Sequence, residues 1–118
     1  MNAAQTLLDQ LMGAAAVSDA VISATGDKVA TTGRFTRCSA SETLDIEKTV
    51  RRMLAASSTI GATLSQVTLH FGAQLLLAVP VSAEVNVLVV LEDSGAIEEV
   101  VALVRGSSLA SSLDATGA

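Results

Sequence analysis

His70 is the only histidine and Cys38 the only cysteine in this chain of 118 residues, so proton-transfer or nucleophilic chemistry would have to be built around one of them. His70 could serve as a base for a serine or hold a metal with carboxylates, but neither arrangement has the spacing it needs. Its plainer place is on a polar face or at an interface, where a pH-sensitive contact is the functional variant. Cys38 falls in a loop with Arg34 and Arg37 and has no second cysteine to pair with, which excludes an internal disulfide and fits a reducing compartment. Glu98 and Glu99 are neighbours and project in different directions; near a helix start they complement the macrodipole. Neither Gly-x-x-x-x-Gly-Lys nor Gly-x-Gly-x-x-Gly occurs. No catalytic, metal-binding or cofactor-binding residue is assigned, and a non-enzymatic chain is expected.

The remaining group with chemical character is the basic cluster Lys48, Arg51 and Arg52. One reading is a solvated helix face held by the i,i+4 pair of Glu47 and Arg51, worth about 0.2–0.5 kcal/mol. The other is a docking face for an acidic partner, since local basic charge stands out in a chain of net charge -5. That net charge argues against nucleic acid and against an anionic membrane surface. At the N-terminus no basic region precedes an apolar stretch, and no apolar run approaches ~18 residues, so neither a signal peptide nor a membrane span is expected and the setting is read as cytoplasmic.

These residues must be positioned by a chain that is half apolar but contains only two Phe, no Trp and no Tyr. Aliphatic side chains must therefore do the packing, and so apolar a small domain is expected to bury surface against a partner. Asn2-x-x-Gln5 followed by Leu7, Leu8, Leu11 and Met12 predicts a short first helix stopped at Gly13. Two short strands follow, Asp19 to Ala24 and Lys28 to Thr31, around a turn at Thr25-Gly26-Asp27. A second helix begins at Ser39 with Glu42, or at Ser41. Ile46, Val50, Met53, Ile60 and Leu64 form its inward stripe, and Glu42, Asp45, Lys48 and Arg52 face outward. Asp93 or Ser94 caps a third helix with Ile97, Val100, Val101 and Val104 inward. One domain spans residues 1–106, and residues 107–118 form a small-residue tail.

Between the second and third helices, residues 66–92 read as three antiparallel strands. Gly72 suits the first central position of a type II′ turn, which sets Phe71 opposite Gln74, Leu69 opposite Leu76 and Val67 opposite Ala78. A second turn centred on Ala83-Glu84 would set Leu76 opposite Leu91, Ala78 opposite Val89 and Pro80 opposite Val87. Val87, Val89 and Leu91 would then share a face with Val67 and Leu69. Apolar residues also fill the second face of the later strands, so helices are needed on both sides. The fold class expected is α/β: a three-layer α-β-α sandwich around a five-stranded antiparallel sheet, with elements in the order α-β-β-α-β-β-β-α.

That order resembles a Roadblock/LC7 domain. The resemblance is carried by LLDQLMGAAAV before DAVISATGDKVA, by a central helix ending near Gly61, and by a meander closing on LVVLEDSG. Gly13 to Val17 stands where the family usually has Pro-Gly-Val, and longin or profilin-like domains share the general arrangement. The resemblance implies a homodimer, or a heterodimer with a paralogous Roadblock subunit, in which the strand Gln66, Val67, Thr68, Leu69, His70 pairs with its counterpart. The central helices, with Val50 and Met53, would lie side by side on the joined sheet. It further implies a regulator or adaptor of a small Ras-like GTPase, as in bacterial gliding motility and polarity; on charge, Lys48, Arg51 and Arg52, doubled by the dimer, are the expected partner-binding face. The alternative is a scaffold or light-chain-like subunit that never contacts a GTPase. An edge strand with alternating polar residues, no Pro and no inward Lys is also open to strand addition on physical grounds alone.

Overall fold

In a computed structural model of the chain, residues 3–24, 35–36, 38–61, 66–72, 74–82, 84–107 and 109 are described. The first helix, α1, covers Ala3–Met12, and the first strand, β1, covers Val17–Ala24. The long helix α2 is Ala40–Thr59, followed by β2 at Val67–Phe71, β3 at Gln74–Pro80 and β4 at Val85–Leu91. A 3-10 turn at Ser94–Ala96 then leads into α3 at Ile97–Arg105.

The described strands form one antiparallel sheet in the order β1-β4-β3-β2. This is four strands rather than the expected five; the expected strand Lys28 to Thr31 lies outside the described residues. Helices α1 and α3 cover one face, where Leu7, Leu11, Val100 and Val104 pack with Ile22, Leu77, Val87, Val89 and Leu91. The opposite face carries a smaller cluster of Val21, Leu76, Ala78 and Leu88 with Phe35 and Val50, the last from α2. Leu109 is buried in the first cluster, and the Ser107 hydroxyl, also buried, donates to the Val104 carbonyl at 2.6 Å.

Local chemistry explains the element ends. Ser39 and Glu42 form a reciprocal capping box at the start of α2: Glu42 N–H donates to Ser39 Oγ at 3.1 Å, and Ser39 N–H donates to Glu42 Oε1 at 3.0 Å. Those bonds hold the Glu42 carboxyl below the usual glutamate range, the backbone bond from Ser39 contributing most. Past the end of α2, Gly61 takes a positive φ of 79°, a conformation glycine adopts without steric cost. Asp93 accepts from Gly95 N–H at 2.9 Å and caps the turn before α3.

The first hairpin has the expected register, with Phe71 opposite Gln74, Leu69 opposite Leu76 and Val67 opposite Ala78. Gly72 sits in its turn at φ 59°. The second hairpin differs from expectation by one residue: Leu77 lies opposite Val89, Val79 opposite Val87, and Pro80 opposite Asn86. The cause is Ser82. Its hydroxyl accepts from Glu84 N–H and Val85 N–H, both at 3.2 Å, while Val81 N–H donates to the Val85 carbonyl at 2.9 Å, so Val81 and Val85 close the loop instead of a two-residue turn at Ala83-Glu84. A slip of one residue sends every side chain to the other face. Val87, Val89 and Leu91 consequently pack under α1 and α3, and the α2 face receives Asn86, Leu88 and Val90.

Candidate interaction surface

The α2 face of the sheet is apolar toward β2 and polar toward β1. A register shift between Val17 and Asp19 marks a bulge in β1; such bulges re-aim side chains. Asp19, almost fully buried, accepts from Ala20 N–H at 3.2 Å, from the Thr36 hydroxyl at 3.1 Å and from Thr36 N–H. Further along the strand, the buried Ser23 hydroxyl accepts from Arg51 Nη2 of α2 at 2.5 Å. Thr43 and Glu47 are also buried on α2, and Thr43 Oγ1 has no hydrogen-bond partner among the described residues.

These contacts rotate α2 away from the stripe expected for it. Val50 is buried against the sheet, with Ile46 and Leu54 half-buried beside it. Met53 is half-buried on the flank. Ile60 lies beyond the last helical residue and is 82% exposed rather than inward-facing. Leu64 lies outside the described residues. The sheet-facing positions include Thr43 and Glu47, which a count of apolar residues could not assign to the core. Lys48 and Arg52 are exposed on the outward side, whereas Arg51 is half-buried and turned to Ser23. Among the described residues no Glu47–Arg51 ion pair is formed.

Strand β2 is at the end of the described sheet. Because Phe71 and Gln74 flank a two-residue turn, odd-numbered residues of β2 exchange hydrogen bonds with β3, and the backbone N–H and C=O of Thr68 and His70 point out of the sheet. Gln66, Val67, Thr68 and Leu69 are half-buried along this edge and the His70 side chain is exposed.

Between α2 and the strands runs a groove. Near the middle of the helix it is walled by Ile46, Thr49 and Val50 over Leu69 and Leu76. Toward the helix start lies a cleft of about 230 Å³ lined by apolar Phe35, Ile46, Leu76 and Val90, by Ser18 and the bonded Asp19 and Thr36, and by Cys38 and Gln74 at its rim. Cys38 is a half-buried free thiol. Neither groove nor cleft was legible in the sequence; the polar pair Ser18-Asp19 within an apolar strand was the available signal for the bulge. Arg34 and Arg37 lie outside the described residues. Among the described residues no three His, Cys, Asp or Glu side chains come close enough to hold a metal ion, and no helix is long and apolar enough to cross a membrane.

Comparison with protein-family models and with curated proteins finds no match. Among solved structures, the chain is similar to a Roadblock/LC7 domain from Streptomyces avermitilis, with a TM-score of 0.59 and 15% identity over 94% of each chain. At that identity the likeness is one of fold, and the fold is the one the order of elements resembles.

Proposed function

We propose that this protein is a dimeric, non-enzymatic interaction domain that regulates or positions a small Ras-like GTPase in the cytoplasm. The observation that carries the reading is the β2 edge of a Roadblock-like sheet, which has no partner strand among the described residues, with hydrogen-bonding groups at Thr68 and His70 directed outward. Pairing with a second copy satisfies those groups. For two edge strands to meet antiparallel, the two-fold axis must run normal to the sheet, which keeps both α2 helices on the same face and sets them antiparallel.

Lys48 and Arg52, both exposed on α2, would then appear twice on one surface of an otherwise acidic protein and attract an acidic partner. Arg51 contributes by holding α2 to β1 through Ser23. The test is light scattering of the purified protein followed by co-purification with Ras-like GTPases loaded with GDP or a non-hydrolysable GTP analogue. A dimer that retains a GTPase in a nucleotide-dependent manner supports the reading. A dimer that retains none transfers it to the scaffold alternative, and a monomer at micromolar concentration removes the dimer.

A further inference from the structure

We infer that Ile60 of one copy seats in the cleft between α2 and the sheet of the other, so that a dimer is locked by two reciprocal apolar plugs. The inference rests on the antiparallel pairing of β2 edges proposed above, but it makes a separate claim about which side chain fills which cavity. Ile60 is the most exposed large apolar residue described, at 82%, and follows directly on the last residue of α2. An isoleucine left this open forgoes most of the free energy its burial would contribute. Among the described residues none covers it.

The same two-fold axis brings it toward the cleft along both elements. Along the helices, antiparallel α2 segments put the C-terminal end of one beside the N-terminal end of the other, and the cleft lies near the N-terminal end, between Ile46 and Phe35. Along the strands, antiparallel β2 segments put the start of one beside the hairpin end of the other. Ile60 precedes the start of β2, and Gln74, at that hairpin, is on the rim of the cleft. The helix face agrees: continuing α2 at 100° per residue, the position after Thr59 falls within about 20° of Thr49 and Met53 and about 80° from Val50, and Thr49 is on the flank beside Leu69 of β2.

Charge supports the same arrangement. Exposed Glu42 and Asp45 occupy the first half of α2 and exposed Lys48 and Arg52 follow them. Antiparallel helices set the acidic first half of each α2 alongside the basic second half of the other, whereas a parallel pair would set like charges abreast. A second copy of this chain is therefore complementary to the groove in both its apolar and its charged residues.

Cys38 on the cleft rim makes the contact directly testable, because it is the only native thiol. The variant Ile60→Cys, treated with oxidised glutathione or a short bis-maleimide, should give a covalent dimer on a denaturing gel. The band should disappear when Cys38→Ser is added, and should not form with Leu44→Cys, an exposed α2 position on the opposite flank. Ile60→Asp should raise the dimer dissociation constant by about tenfold or more, since it sets a carboxylate among Phe35, Ile46, Leu76 and Val90 in a cleft that already holds the Asp19 carboxylate. If light scattering shows a dimer but Ile60→Cys crosslinks no more than Leu44→Cys, the plug is wrong while the strand-pairing reading stands. If the wild type is monomeric, the strand-pairing reading itself fails.

Discussion

Arg51 of α2 donates through Nη2 to the hydroxyl of Ser23 on β1 at 2.5 Å, so the guanidinium at the centre of the basic cluster is engaged inside the domain while Lys48 and Arg52 on either side are exposed. Ser23 is 1% exposed, which makes the bond a tie between helix and sheet rather than a surface contact. Replacing Arg51 with Ala should lower stability by about 1–3 kcal/mol, because a buried hydroxyl loses its donor and the aliphatic stem its packing. Urea denaturation checks this; an unchanged midpoint would mean the tie contributes nothing in solution.

Strand pairing gives the second expectation. Thr68 directs its backbone N–H out of the sheet, so Thr68→Pro should leave the β2–β3 ladder intact while deleting a donor needed by a second copy. Light scattering should show a shift from dimer to monomer, with far-UV circular dichroism preserved. Retention of the dimer would exclude this edge as its seam.

A third expectation concerns pH. Glu42 has its folded pKa lowered by bonds from Ser39, backbone first. A depressed carboxylate contributes stability that is present above the unfolded value and lost as pH falls through the folded one. Glu42→Gln keeps a capping side chain without the charge. The stability difference between wild type and this variant should therefore favour wild type at neutral pH and vanish under acid, as followed by thermal melts across that range. A difference independent of pH would place the contribution in the hydrogen bonds alone.

Docking supplies the fourth. Lys48 is exposed on the outward face of α2 and makes none of the contacts that hold the helix to the sheet. Lys48→Glu should slow association with a cognate GTPase and flatten its dependence on ionic strength, with the melting temperature nearly unchanged. Stopped-flow association at two salt concentrations measures it, and rates indifferent to the reversal would move the docking surface elsewhere.

Several of these elements were legible without coordinates because their signals are local. The Ser39 and Glu42 box, the Asp93 cap, glycines at positions 61 and 72 and the register of the first hairpin each depend on residues within a few positions of one another. A hydroxyl within reach of a nearby amide, or a glycine at a turn, carries its conformational preference in the sequence. The second hairpin shows where this ends: Ser82 captures two amides, and the choice between that loop and a turn one residue later moves Val87, Val89 and Leu91 to the other face of the sheet.

The sequence by itself determined the order of the described helices and strands, though not the count of strands, together with the apolar character of both sheet faces and the presence of a strand fit to lie at an edge. Only the tertiary structure decided that β1 pairs with β4, that α2 turns Thr43, Glu47 and Arg51 inward, and that Ile60 is left in solvent. The reason is physical. Periodicity reports how much apolar surface a helix must cover, but the orientation of α2 also depends on polar partners supplied by Ser23 on a strand distant in sequence, and long-range pairing leaves no mark in the spacing of either segment.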